Sequence, residues 1–377
     1  MSATENPSAG SSLLVRNIAA QDGQFRAAFG ILEKAVTDRA FPGCSVAVAL
    51  NGQLVAHRAF ARFTYDRDSP EVMPGTLFDL ASLTKVVATT AMAMVLYERG
   101  LLDLEAPVMA IIPEFVAASP DNDPRRREVT LRMLLAHSSG LPAYEKLFLR
   151  HQTRESLLQA AVTTRLTAEP GTRAEYSDIG FIVLGIALER LADEPLGEFH
   201  QREIFGPLGM AHTTFNPVAE LRDKIPPTAD DRSFRHRIIQ GEVQDENASV
   251  LGGIAGHAGV FSTAHDLALF AHAMLNGRYP ILRPETVELF SHRESTPAGS
   301  TRALGWDTPS TPSQSGKHFS SRSFGHLGYT GTSLWVDPER QLSVTLLSNR
   351  TWPDWQNQAI KQIRPAFHDA VIEAVIN

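Results

Sequence analysis

The sequence predicts an α/β fold in which an antiparallel sheet, flanked by helices, is built from both ends of the chain. Short apolar runs separated by turn residues occur near both ends, and the middle of the chain is mainly helical in pattern. At 377 residues the chain is long enough for two packed units. We therefore expect a flexible tail over residues 1–20, a discontinuous α/β domain over 21–105 and 250–377, and an inserted, mainly helical domain over 106–249.

The first predicted elements are a helix and a hairpin. Apolar residues recur on one helical face from Phe25 to Val36, which is the spacing of a helix that packs on a sheet. Two apolar runs, Cys44–Leu50 and Gln53–Ala61, then flank the pair Asn51-Gly52. Because Asn-Gly suits the backbone of a tight turn, this pattern favours two antiparallel strands.

Three helices are predicted further along the chain. The segment Lys85–Tyr97 is apolar almost all round and ends shortly before Gly100, as expected of a helix that is buried on every side. A short helix is predicted at Thr130–His137, where a Gly-Leu-Pro sequence follows and ends it. A longer one is predicted at Asp178–Ala192, with Asp178 as its candidate N-cap.

The part after the helical region begins with one more helix and a long loop. Thr263 and Asp266 form a capping pair three residues apart, directly before an apolar helical run. The segment Ser295–Ser323 is rich in Ser, Thr, Pro and Gly, which predicts a mobile loop.

The end of the chain repeats the strand pattern. Thr332–Val336 and Leu342–Asn349 alternate around a turn and predict a second hairpin. The helical stretch from Trp355 contains Pro365, which predicts a kink or a break because proline removes a backbone donor.

Composition excludes several functional classes. The net charge of −7 provides no basic field for nucleic acid, and no run reaches the about 18 apolar residues of a membrane span. The first twenty residues do not resemble a secretory signal, and Cys44 is the single cysteine, so we expect a cytoplasmic protein without disulfides. No zinc, phosphate-loop or dinucleotide motif occurs, so no metal or cofactor is expected.

The main candidate for chemistry is the Ser-x-x-Lys motif formed by Ser82 and Lys85. Residues three apart on a helix lie on one face, so the hydroxyl and the amine can touch. A lysine can activate a serine only if its pKa falls, and burial in an apolar helix acts in that direction. Such a short motif also arises by chance in a chain with 27 serines and six lysines, so this alternative stays open.

Other candidates compete for the remaining roles. Tyr176 beside the pair would shuttle protons, although it also fits a buried ring at the end of a loop. His326, before a strand whose edge can present a backbone N–H, is preferred for the site over His257, which we interpret as part of a close-packed glycine-rich turn. The sequence "AHSSGLP" contains a second Ser/His pair, but its Gly and Pro favour a helix stop.

Three ordered motifs resemble those of the serine β-lactamase and penicillin-binding-protein superfamily, in particular its class C, D-aminopeptidase and family VIII carboxylesterase branch. These motifs are "SLTK" from Ser82, "YSD" from Tyr176 and "HLG" from His326, and the likeness covers Phe41 to Asn349. The resemblance implies a β-lactamase-like fold and an acyl-enzyme mechanism without a metal or cofactor. The substrate would be a small ester, amide or peptide-like molecule, with no nucleic acid and no membrane involved.

The resemblance also implies a role for each residue of the motifs. Ser82 would be the acylated nucleophile, and Lys85 and Tyr176 the pair that acts as base. The backbone N–H groups of Ser82 and Tyr329 would form the oxyanion hole, with Asp178, His326 and Gly328 completing the substrate-binding wall.

Two residues depart from the pattern of the superfamily. Asp178 stands where asparagine is common, and its negative charge tends to keep Lys85 protonated, which leaves Tyr176 as the favoured proton acceptor. His326 replaces the usual lysine, which weakens the binding of a substrate carboxylate and favours an ester or peptide-like substrate over a β-lactam.

Besides a weak β-lactamase, two alternatives to this esterase-like hydrolase are kept. Several segments also look like a subgroup of muropeptide amidases, which cut the muramoyl–alanine bond. In that subgroup a histidine is expected just before Asp245, where this chain has Gln244. A protein that binds a peptide or cell-wall fragment without catalysis is the other alternative, and it would have no need for Ser82, Lys85 and Tyr176 together.

Overall fold

A computed structural model describes residues 15–119, 121–276 and 282–376. Its largest sheet has six strands in the order β1-β3-β2-β11-β10-β9, so both ends of the chain contribute to it. The strands are β1 Val15–Arg16, β2 Gly43–Leu50, β3 Gln53–Ala61, β4 Phe78–Asp79, β5 Thr214–Phe215, β6 Ala229–Asp231, β7 Arg237–Ile239, β8 Val260–Ser262, β9 Phe324–Leu327, β10 Ser333–Asp337 and β11 Leu342–Ser348.

Both predicted hairpins are present in this sheet. β2 and β3 are antiparallel around Asn51 and Gly52, which both have positive φ angles. β10 and β11 form the second hairpin, and β11 pairs with β2, which joins the two ends of the chain. Every pair in this sheet is antiparallel except β1–β3, which confirms the predicted α/β class with a sheet of mainly antiparallel strands.

Helices cover both faces of the sheet. They are α1 Gln21–Gln24, α2 Arg26–Thr37, α3 Ala91–Glu98, α4 Val108–Ile111, α5 Glu114–Ala117, α6 Leu131–Leu135, α7 Arg154–Thr163, α8 Asp178–Ala192, α9 Leu196–His200, α10 Glu246–Val250, α11 Ala264–Asn276, α12 Pro284–Ser291 and α13 Ile360–Ile376. α2 and α13 pack together in one apolar cluster with the residues of one sheet face, and α11 packs on the other side. In the described ranges, no helix combines the length and the apolarity that a membrane span needs.

Short helical turns complete the elements. Ala81–Leu83, Pro124–Glu128, Leu147–Leu149 and Ala219–Lys224 are 3₁₀ helices, and Lys85–Thr90 and Gln201–Phe205 are π-helices. The predicted buried helix at Lys85–Tyr97 is therefore a π-helix followed by α3, and its residues are buried up to Leu96.

Several local predictions are wrong. Val15–Arg16 pairs with β3, so the end of the predicted tail belongs to the sheet, while residues 1–14 lie outside the described residues. Ser177, not Asp178, caps α8, because its hydroxyl accepts the N–H of Gly180 at 2.9 Å. α13 continues through Pro365 without a break, and the carbonyl of Lys361, which a proline four residues later cannot reach with an N–H, instead accepts from Gln314 Nε2 at 3.0 Å.

Two further predictions need qualification. Ser295–Ser323 contains no helix or strand, as expected of a loop, but Trp306 inside it is fully buried in the main apolar cluster, so its middle is fixed. Thr263 does cap the start of α11, but the carboxylate of Asp266 bonds to Thr213 rather than back to Thr263. The domain boundaries proposed from the sequence stay predictions.

Candidate active site

The segment that carries Ser82 is held by a buried carboxylate. Ser82 lies in the 3₁₀ turn after β4, and Ala81 before it has a φ of 47°, which is unusual for a residue other than glycine. Asp79 Oδ1 accepts the N–H of Ala81 at 2.8 Å, and Asp79 Oδ2 accepts the N–H of Gln244 at 2.6 Å. These two bonds fix the turn against a segment from the middle of the chain.

Four residues predicted for the site converge on one point. Lys85 Nζ donates to Ser82 Oγ at 3.0 Å, and Tyr176 Oη lies 2.7 Å from the same oxygen. Lys85 Nζ also forms an ion pair with Asp178 Oδ1 at 2.6 Å. Tyr176 Oη is 3.3 Å from that carboxylate oxygen, so hydroxyl, amine, phenol and carboxylate form one hydrogen-bonded cluster.

Charge within the cluster sets its resting state. Burial tends to lower the pKa of Lys85, but the adjacent Asp178 and Tyr176 outweigh burial and the pKa is raised. Burial, with a further contribution from Asp178, raises the pKa of Tyr176 to about 12. At neutral pH the cluster therefore holds an ammonium and a neutral phenol, in agreement with the effect on Lys85 expected of Asp178.

A backbone carbonyl that the sequence did not indicate also holds Lys85. The carbonyl oxygen of His257 accepts from Lys85 Nζ at 2.9 Å. The imidazole of His257 is in turn fixed by a 2.8 Å hydrogen bond from Nε2 to Asp245 Oδ1. The glycine-rich sequence "GGIAGHAGV" was the only hint of this contact in the segment, because Gly256 allows the segment to approach α8 closely.

The "AHSSGLP" segment supports Tyr176 and does not form a second nucleophilic pair. His137 Nδ1 accepts the N–H of Ser177 at 3.0 Å, and its ring lies 4.8 Å from the ring of Tyr176. Burial lowers the pKa of His137 well below its usual value, so the ring is neutral. This arrangement agrees with the structural interpretation of the segment.

The third motif lies on the opposite wall. His326 is on the edge strand β9, its ring is 5.9 Å from the ring of Tyr176, and burial lowers its pKa well below the usual value. A Cβ at Gly328 would lie 2.4 Å from the backbone oxygen of Leu80, so only glycine lets this turn pack on the Ser82 segment. Tyr329 belongs to this turn. Strand β10 begins at Ser333, one residue after the predicted start at Thr332.

These walls enclose one cavity. Ser82, Tyr176, Asp178, His257, His326 and Tyr329 all line it, together with residues of α13 and of the loop that contains Arg302. Lys85 lies behind the wall and is fully buried. Across residues 15–119, 121–276 and 282–376, no group of three histidine, cysteine or carboxylate side chains is arranged to hold a metal ion.

Comparisons with known proteins place the chain in a family. The family model Beta-lactamase matches residues 28–364. An N-acetylmuramyl-L-alanine amidase of Bacillus subtilis is 30% identical over 344 residues, which are 82% of this chain and 77% of the relative. A putative D-alanyl-D-alanine carboxypeptidase of Escherichia coli is 32% identical over 349 residues, which are 83% of this chain and 79% of the relative.

Solved structures show the same fold. EstCE1, a hydrolase with promiscuous acyltransferase activity, matches with a TM-score of 0.76 at 23% identity, over 94% of this chain and all of that one. A class C β-lactamase of Rhodobacter sphaeroides matches with a TM-score of 0.72 at 20% identity, over 93% of this chain and all of that one. The fold and the resemblance predicted from the motifs are thus confirmed. The chain belongs to the β-lactamase family and is a serine hydrolase of that family.

Proposed function

We propose that this protein hydrolyses an ester or amide bond through an acyl-enzyme on Ser82. The observation that carries the proposal is the convergence of Lys85, Tyr176 and Asp178 on one hydroxyl within a cavity. A serine hydroxyl becomes a nucleophile only when a neighbouring group takes its proton, and this cluster provides such groups at hydrogen-bond distance.

The proton would pass through Tyr176. Its oxygen is nearest to Ser82 Oγ and also contacts Asp178, so the phenol can shift its own proton towards the carboxylate as it accepts that of Ser82. The Ser82 Oγ–carbon bond then forms, the bond to the alkoxide or amine breaks, and the proton moves to this leaving group. Water attacks the acyl group in the second half, and its proton returns to Ser82 Oγ.

Backbone N–H groups would stabilise the negative oxygen of the intermediate. The N–H groups of Ser82 and Tyr329 have no hydrogen-bond acceptor among the described residues, and both residues line the cavity. Fixed donors that point at a developing oxyanion commonly make the largest single contribution to the rate enhancement of such a reaction.

The substrate is proposed to be a carboxylic ester or a peptide-like amide. The neutral His326 provides no permanent positive charge where a substrate carboxylate would be bound, which argues against efficient β-lactam turnover. A muropeptide amidase is the second candidate, favoured by the Bacillus subtilis amidase that is 30% identical over 82% of this chain. A binding protein without catalysis is disfavoured, because it would not need four groups assembled around Ser82.

Replacing the nucleophile tests the proposal. Ser82→Ala should lower the hydrolysis of p-nitrophenyl butyrate by at least about 1,000-fold, since no acyl-enzyme can form. Ser138→Ala, in the segment with the other Ser/His pair, is the matched control and should retain activity. A fluorophosphonate adduct found by mass spectrometry on a serine other than Ser82, or full activity of Ser82→Ala, would show the assignment to be wrong.

A cytoplasmic location is part of the proposal. Its support is the single cysteine, Cys44, which is buried and forms no disulfide. Fractionation of cells that express the full chain checks it, and recovery of the protein outside the cytoplasm would contradict it.

A further inference from the structure

One side chain in the cavity wall has no role in the mechanism above. Gln244 precedes Asp245, the N-cap of α10, and is only 8% exposed. Its main chain is fixed on both sides, because its N–H donates to Asp79 at 2.6 Å and its carbonyl accepts from Arg235 at 2.6 Å. The direction in which the side chain leaves the main chain is therefore set by the fold.

The carboxamide of Gln244 has no hydrogen-bond partner among the described residues. Neighbouring polar groups of the same wall are occupied: Asp245 binds His257 and Asp178 binds Lys85. The side chain is mostly buried but its amide lines the cavity, so a polar group that binds there can provide the hydrogen bonds that the protein does not. Because the N–H of Gln244 is bonded to Asp79, three residues before Ser82, this amide and the nucleophile share one wall.

A carboxamide offers one acceptor and two donors and carries no charge. Its best complement is another neutral group with both a donor and an acceptor, and a secondary amide is the common group of this kind. A simple alkyl ester has no such group in its acyl chain. An ammonium or a carboxylate would use only one side of the carboxamide.

We infer that Gln244 determines specificity by binding a secondary amide in the acyl part of the substrate. The preferred substrates are then N-acylamino acid or peptide derivatives rather than plain alkyl esters. This inference rests on the proposed acyl-enzyme function and narrows its substrate class. Gln244 takes no part in the proton transfer at Ser82.

Two esters of equal chain length test the inference. The p-nitrophenyl ester of N-acetylglycine contains the amide, and p-nitrophenyl pentanoate replaces it with methylene groups. The variant Gln244→Met keeps the size of the side chain and removes its hydrogen bonds. For the first ester, kcat/KM should fall roughly 5- to 30-fold, which is the effect expected from the loss of one or two neutral hydrogen bonds. The second ester should be hydrolysed within about twofold of the original rate.

Further variants separate a specific effect from a structural one. Gln244→His keeps a donor and an acceptor and should retain part of the preference. Gln240→Met is the control, because the amide of Gln240 already donates to Ile225 outside the cavity; its preference ratio should not change. An equal loss on both esters, or no loss on either, would overturn the inference, whereas an unaltered protein inactive towards both would refute the proposed function itself.

Discussion

At the scale of single residues, the main question is how the fully buried Lys85 stays charged next to Ser82. Burial opposes the ammonium, but Asp178, whose Oδ1 lies 2.6 Å from Lys85 Nζ, and Tyr176 together outweigh burial and raise the pKa of Lys85. The same anion disfavours the tyrosinate form of Tyr176. Asp178 therefore shifts both pKa values upwards and makes both groups poorer bases near neutral pH.

Asp178→Asn should move the pH dependence of activity. Asparagine removes both the acceptor of the Tyr176 proton and the anion that raises the pKa of Lys85 and of Tyr176, so the maximal kcat/KM should fall while the rise of the remaining activity with pH shifts to lower pH by about 1 unit or more. The measurement is a pH profile with a plain p-nitrophenyl ester. Glu246→Gln, which removes a cavity carboxylate that is not paired with Lys85, should leave the midpoint in place, and an unchanged or higher midpoint in Asp178→Asn would contradict this account.

At the scale of elements, the position of Lys85 depends on close packing between α8 and the segment before β8. A Cβ added to Gly256 would lie 2.2 Å from the backbone oxygen of Phe181 and 3.1 Å from Gly185 Cα, both in α8. No alanine fits without a backbone shift. Such a shift would displace the carbonyl of His257, which holds Lys85 Nζ.

Gly256→Ala should therefore reduce both stability and activity. Overpacking of this kind costs about 1–3 kcal/mol of unfolding free energy, and kcat should fall more than KM changes, because Lys85 loses its orientation. Gly30→Ala is the matched control: a Cβ there meets nothing within 4 Å, and the exposed helix position should gain about 0.5–1 kcal/mol. Urea unfolding and steady-state kinetics measure both effects, and a fully active Gly256→Ala protein would be the contrary result.

At the scale of the whole molecule, buried neutral histidines connect stability to pH. Burial lowers the pKa of His200 to about 4 and that of His368 to about 3, and the pKa values of His137 and His326 are lowered as well. Below a pH of about 6.5 the unfolded chain binds protons that the folded chain does not. The contribution of these histidines to stability is therefore fully present above that pH and is lost progressively as the pH falls.

His200→Phe should make the fold less sensitive to acid. His200 packs among Phe199, Phe205 and Phe215, and neither ring nitrogen has a partner among the described residues. The loss of unfolding free energy between pH 8 and pH 5 should shrink by about 2 kcal/mol, which is 1.5 pH units at about 1.4 kcal/mol each. Urea titrations at both pH values measure it, with His292→Asn on the surface as control; an unchanged loss would show that His200 does not contribute.

Local patterns were sufficient for the long elements and insufficient for the short ones. The β2–β3 hairpin and α8 follow from apolar periodicity, which is a property of neighbouring residues. β4, β5 and β8 have two or three residues each, too few to show an alternation. They form because distant segments meet, and β4 and β8 lie beside Ser82 and Lys85 in the fold.

The sequence by itself determined the sheet built from both chain ends, the family, and the choice of Ser82, Lys85 and Tyr176 as side chains that meet at one site, because periodicity and motif spacing depend on residue types alone. Only the tertiary structure decided what holds and surrounds them: the carbonyl of His257 on Lys85, the carboxylate of Asp79 beneath the Ser82 turn, and the free amide of Gln244. Backbone carbonyls occur at every residue, and whether a side chain finds a partner depends on segments far away in the chain, so neither is visible until the chain is folded.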